Sequence, residues 1–233
     1  GLYFLSAVTM LLVSNRGRAG SRDTRKHPVI EILDGLKYVR AQPTVYALIL
    51  LSIVPFMFGM PLNTLLPAFN EEILLGGPDD LGLLLSAMGV GAILGSLMLA
   101  ASGDLKHKGT WLVVTCFGWG VSTVLFGMAP NLWTAVVVLA LVGWLSSWNM
   151  SLNRGLLQVQ VVRRMRGRIM SIDMMSHGLM PLGVLPVSMI ADAYDISTSL
   201  IASGAVFVVL IALLVLVSTP VRKLDSMMLD VRQ

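Results

Sequence analysis

Asp173 and His177 stand four residues apart in a run, Met170 to Ala191, that contains no other ionisable side chain. On a helix that spacing puts both on one face. A carboxylate beside an imidazole can hand over a proton near neutral pH, so the pair is a candidate for proton coupling. The same residues also allow an architectural reading, in which Asp173 pairs with Arg166 or Arg168 and anchors the end of its helix.

A second set of polar residues interrupts the apolar run from Leu132 to Asn153: Ser146, Ser147, Trp148 and Asn149, with Asn153 and Arg154 a turn or more further on. If the surroundings are lipid, such side chains are costly unless they face protein or a water-filled cavity. Ser147, Trp148, Asn149 and Asn153 are therefore candidate cavity residues, and hydrogen bonding to neighbouring helices is the other use open to them. Met57 and Met60 add flexible thioethers that suit varied apolar ligands, though methionine is also ordinary core filler. No HExxH, P-loop or GxSxG sequence occurs, and no His/Cys/Asp pattern suggests a metal. The expectation is a protein that is not an enzyme, holds no cofactor or metal and drives nothing with ATP from within this chain.

The elements that must position these groups follow from composition. Hydrophobic residues make up 55% of the 233 positions and charged ones 13%, against roughly 25% charged in soluble domains; the mean hydropathy is +0.79. The apolar residues come as unbroken runs, not as period-2 or period-3.6 stripes. Six runs stand out: 45–66, 81–102, 110–128, 132–153, 170–191 and 198–218. Each is close to the roughly 20 residues that carry a helix across the hydrocarbon core. The fold class expected is an all-α membrane protein, a six-helix transmembrane bundle over 45–218. Gly1 to Ser14 is too short for a crossing and reads as the end of a preceding helix that begins upstream.

Charge fixes the expected topology. The segments 15–44, 103–109, 154–169 and 219–233 hold 7, 2, 5 and 3 Lys and Arg, all 17 in the chain, while the opposite connections hold none and carry six acids. By the positive-inside rule the basic face, including the 219–233 tail, is cytoplasmic. The sequence pI near 9.5 follows from this anchoring, so nucleic acid is not an expected partner. The lone Cys116 lies in a span. In the linker 15–44, Val29, Ile32, Leu33 and Leu36 fall at helical spacing opposite Glu31, Asp34 and Lys37. That predicts an amphipathic helix, lying either at the interface or packed under the bundle.

Three stretches resemble the C-terminal half of a major facilitator superfamily transporter, in the branch of enterobactin-exporter-like and drug efflux proteins. They are "LLPAFNEEILLGGPDDLGLLLSAMGVGAILGSL" with Gly89, Gly91 and Gly95, "QVQVVRRMRGRIMS" with Gln158, Arg166, Gly167 and Arg168, and "GLMPLGVLPVSMIADAYDIST" with Pro181, Leu182 and Gly183. The resemblance covers about residues 28–218. It implies that the six spans are helices 7 to 12 and that an N-terminal six-helix half is the missing partner. It also implies a cytoplasmic gate or turn at Asp104, Lys108, Gln158, Arg166, Gly167 and Arg168. At Ala100 to Gly109 only Asp104 and Lys108 match the superfamily's loop signature. The function implied is secondary active transport by alternating access in a bacterial plasma (inner) membrane: proton-coupled export of a small-molecule substrate, amphipathic and siderophore or drug-like. A non-transporting scaffold or receptor-like bundle is the alternative.

The topology is directly testable. Cysteines placed at Asp79 and Asp192 are expected to react with an impermeant maleimide on intact cells, and those at Lys106 and Arg164 only after permeabilisation. The reverse pattern would invert the orientation.

Overall fold

A computed structural model describes residues 28–103, 105–222 and 224–226. The described elements are α1 (Pro28–Ala41), α2 (Pro43–Phe58), α3 (Pro61–Ala68), α4 (Pro78–Ala101), α5 (Lys108–Gly127), α6 (Leu132–Gln160), α7 (Arg166–His177), α8 (Met180–Ala193), α9 (Ile196–Val217) and α10 (Thr219–Arg222). Among the described residues there is no strand, and six helical spans are long and apolar enough to cross a membrane: 43–73, 78–101, 108–127, 132–160, 166–193 and 196–217. Each contains, to within two residues at either end, one of the runs read from the sequence. Gly1 to Ser14, Asp104 and the first half of the linker lie outside the described residues.

Local chemistry sets the helix boundaries. Proline opens α2, α3 and α4 and sits near the start of α8, where its missing N–H costs nothing and its fixed φ suits a helix. Asn131 caps α6 by accepting from Thr134 N at 3.0 Å, and Asp195 caps α9 by accepting from Thr198 N at 2.7 Å and Thr198 Oγ1 at 2.6 Å. Two spans outrun the reading by charge furthest. The first continues through α3 into a π-turn at Phe69–Ile73, which lifts Glu71 and Glu72 onto the helix end. The fourth runs on to Gln160, because Arg154 can send its charge outward while its stem stays on the helix.

Prolines also break the first span. Pro55 and Pro61 lack the N–H that would bond Leu51 O and Met57 O four residues earlier, and in lipid a freed carbonyl needs another partner. Cys116 Sγ approaches Leu51 O at 3.9 Å, and Ser203 Oγ donates to Phe58 O at 2.8 Å beside the break. Met57 O lies against Gly183, so close that a Cβ there would collide with it. The fifth span breaks as well, at Gly178–Leu179 between α7 and α8, just before the Pro181 and Gly183 singled out in the sequence.

Small residues set the tightest packing. Gly91 and Gly95 on α4 meet the backbones of Ala140 and Trp144 on α6, and Gly143 on α6 meets Met88 in return. Ser96 and Ser147 hydroxyls join the same seam at 2.7 Å. Gly89 has open space where a Cβ would stand, so only two of the three glycines of the motif serve the interface. On the amphipathic α1, the side chains of Val29 and Ile32 lie outside the described residues. Gly35 and Val39 are buried while Leu33 and Leu36 are exposed, because Ile172 of α7 enters the space beside Gly35 that a side chain would fill. The helix is packed under the bundle.

Gly91→Ala is therefore expected to destabilise the bundle by about 1–3 kcal/mol through overpacking, whereas Gly89→Ala is neutral or up to ~1 kcal/mol stabilising through helix propensity; thermal unfolding in detergent separates them. Equal effects would refute the seam.

The cap at Asp195 makes a pH prediction. The Thr198 hydroxyl, then the Thr198 N–H, hold this carboxyl below its usual range. The ionised cap thus contributes stability above the unfolded-state value, about 3.9, and that contribution fades as pH falls through the lower folded-state value. The Tm deficit of Asp195→Ala should be full at pH 7 and shrink on acidification below about 4.

Candidate functional site

Four helices enclose one cleft. Ser52, Pro55 and Phe56 come from α2, Trp119 from α5, Asn149, Met150, Asn153 and Arg154 from α6, and Asp173 from α7. The cleft is partly open and leaves only about 10 Å³ of free space, room for about one water and far below the roughly 300–1,000 Å³ of small-molecule sites.

Asp173 is its chemical centre. The carboxylate is 4% exposed, and Ser52 Oγ, equally buried, donates to its Oδ1 at 2.7 Å. The bond joins α2 to α7 across 121 residues of sequence. Of the arginines considered as partners, Arg168 reaches Asp34 on α1 at 3.7 Å, a half-exposed contact worth at most about 1 kcal/mol. Arg166 opens α7 and buries its Nε with no partner among the described residues. His177 ends α7; its side chain lies outside the described residues.

α6 supplies the amides. Asn149 is 2% exposed, and its Nδ2 donates to Leu112 O and Thr115 Oγ1 at 3.2 Å each and to Cys116 Sγ at 3.0 Å. It therefore ties α6 to α5 as well as lining the cleft. Asn153, one turn on, is 3% exposed with Oδ1 unpaired among the described residues, as is Trp119 Nε1. Buried polar atoms are seldom left so, which marks this wall as a place where a polar group could be received.

The other expected cavity residues sit elsewhere. Ser147 bonds Ser96 in the α4–α6 seam. Trp148 is buried between Trp111, stacked at 5.5 Å between centroids, and Trp144, edge-on at 5.2 Å. Met57 lies at the break before α3, and Met60 Sδ accepts from Asn63 at 3.5 Å. Of the gate residues, Lys108 begins α5, Gln158 is exposed near the end of α6, and Gly167 has open space around it in the first turn of α7. Sequence reading passed over Ser52, Phe56, Trp119 and Met150. The one signal for Ser52 was its place as the sole polar residue in "LILLSIVPF". Among the described residues no group of His, Cys, Asp or Glu could hold a metal ion.

Comparison with known proteins agrees with this architecture. The family of transmembrane secretion effectors matches residues 2–233. The staphyloferrin A transporter of Staphylococcus aureus is 25% identical over 200 residues, covering 83% of this chain and 48% of that protein. The macrolide efflux protein A of Streptococcus pyogenes is 23% identical over 198 residues, covering 84% and 49%. The enterobactin exporter EntS of Shigella boydii is 32% identical over 148 residues, covering 62% and 34%. The chain thus spans at most about half the length of these relatives. With its six apolar spans and this match along almost its whole length, the chain is an integral membrane protein belonging to the transmembrane secretion effectors, a transporter family of the major facilitator superfamily.

Proposed function

We propose that this chain forms one half of a secondary active transporter that exports amphipathic small molecules, siderophore or drug-like, in exchange for protons. The observation that carries the reading is the Asp173 carboxylate, buried at membrane depth and held by Ser52 on the wall of an open cleft. Ionisable groups so placed are characteristic of proton and substrate pathways. Relatives named for a siderophore or for macrolides support the substrate class.

In this mechanism Asp173 is the proton carrier. Ser52 donates to its ionised form and keeps the carboxylate turned toward α2. His177, one helical turn away in sequence, is the candidate partner for transfer. Asn153, with Phe56 and Met150, offers an amide and an adaptable apolar surface to the substrate. The partner half completes the site, because the cleft within this chain has room for little more than one water. The breaks in the first and fifth spans are where α2/α3 and α7/α8 change angle as access alternates. The basic face lies in the cytoplasm of a bacterial cell, by the charge asymmetry.

The test is export of a macrolide and of a siderophore by the full-length transporter in proteoliposomes under an imposed pH gradient, normalised to folded protein. Asp173→Asn is expected to reduce export to the gradient-independent background while substrate binding persists, and His177→Gln to flatten its pH dependence. Near wild-type export by both variants eliminates the relay. Flux that requires ATP eliminates secondary transport.

Ser52 gives a separate measurement. Ser52→Ala leaves a buried acceptor without its donor and should cost about 1–3 kcal/mol of stability. Ser52→Thr, which keeps the hydroxyl, should recover most of it. An Ala variant as stable as the parent would show that the bond does not hold Asp173.

A further inference from the structure

We propose that the described residues after α9, Thr219–Arg222 and 224–226, are a latch that fixes the start of α5 to the end of α9, with Asp225 as its catch. The segment follows α9 through Ser218, forms the short α10, and buries Val221 and Leu224, which are 3% and 1% exposed. Asp225 then reaches the start of α5. Its Oδ1 accepts from Gly109 N at 2.7 Å, and its Oδ2 accepts from Thr110 N at 3.1 Å and Thr110 Oγ1 at 2.6 Å.

Those amides belong to the first turn of a helix and have no intrahelical acceptor. A helix normally meets them with the side chain of its own N-cap residue. Here that residue, His107, sits in the left-handed region at φ 60° and makes no capping bond. The cap comes instead from a carboxylate 115 residues later, whose charge also suits the positive end of the helix dipole. Gly109 admits the arrangement, since a Cβ there would stand 2.8 Å from Leu224 Cβ and 3.0 Å from Asp225 Oδ1.

The consequence is mechanical. α10 also packs against α2, so one short segment ties the ends of α2, α5 and α9 together on the face that carries the chain's basic residues. While the catch holds, the hairpin and those three helices move as one body; when it is released, the hairpin is free to move by itself. The latch does not depend on the reading of Asp173, because it involves neither the cleft nor a proton.

Hydrogen–deuterium exchange of the full chain in nanodiscs tests it. Asp225→Ala should raise exchange in peptides covering 105–112 by roughly two- to thirtyfold, the range set by losing a helix cap, with peptides from the middle of α6 unchanged. Thr110→Val, which removes one of the three bonds and keeps the helix, should give a smaller rise at the same peptides and add nothing on top of Asp225→Ala. Unchanged exchange at 105–112 in Asp225→Ala overturns the latch, and so does a Thr110→Val effect that is the same with and without Asp225. Should Asp225→Ala loosen the whole bundle, Thr110→Val decides alone: a rise confined to 105–112 supports the catch, and no rise overturns it.

Discussion

Lipid offers no hydrogen bonds, and the rest of this structure depends on how the backbone copes with that. A span with proline in its middle frees a carbonyl, and the protein must supply what water cannot. In the first span the nearby answers come from three other helices: the Cys116 thiol on α5, the Ser203 hydroxyl on α9, and Gly183 on α8, whose bare Cα lets the backbone of Met57 come close. Most of these contacts converge on α2 and its break. That helix is consequently at the centre of the bundle, with Val45, Ala47, Leu48 and Leu51 all buried, although the hydropathy of its span matches that of the more exposed α4.

The same requirement explains why the buried carboxylate belongs where it is. A buried polar group at this depth needs a hydrogen-bond partner, and the α2 face beside the break provides the Ser52 hydroxyl. Asn149 solves the corresponding problem on α6 by spreading its amide over three acceptors on α5. The polar groups of the cleft are thus also the joints between helices. A change at one of them is expected to affect fold and transport together, and measurements normalised to folded protein are needed to separate the two.

Most of the architecture was legible in the sequence because membrane crossing is a one-dimensional constraint. Length and charge alone locate six spans, and the glycines at 91 and 95 announce a close helix contact. What composition could not supply was direction around each helix. Ser147 and Asn149 are two residues apart in one polar cluster, yet one faces α4 and the other α5 and the cleft. Trp148 between them is enclosed by two other tryptophans. On α1 apolar periodicity points to Leu33 and Leu36, yet it is Gly35 that meets Ile172 of α7, because the bare Cα allows the closer approach. Ser52 was invisible because a single serine in an apolar run is unremarkable until its partner, 121 positions away, is known.

The distribution of small residues suggests how a densely joined bundle can still change shape. Along α4 and α6 the glycines bring backbones into direct contact at Gly91, Gly95 and Gly143, with a serine pair beside them, and such an interface has little freedom to slide. Around the two broken spans one glycine also meets a backbone directly, Gly183 against Met57, while the hydroxyls of Ser203 and Ser52 reach a carbonyl and a carboxylate. Gly120, Gly127 and Gly204 bring α5 and α9 together in the same way, so close backbone packing joins the α4–α6 and α5–α9 pairs, while the helix breaks lie where α2 meets α3 and α7 meets α8. Asp173 stands on the α7 side of the second break, so that a change in angle there would alter its distance from Ser52.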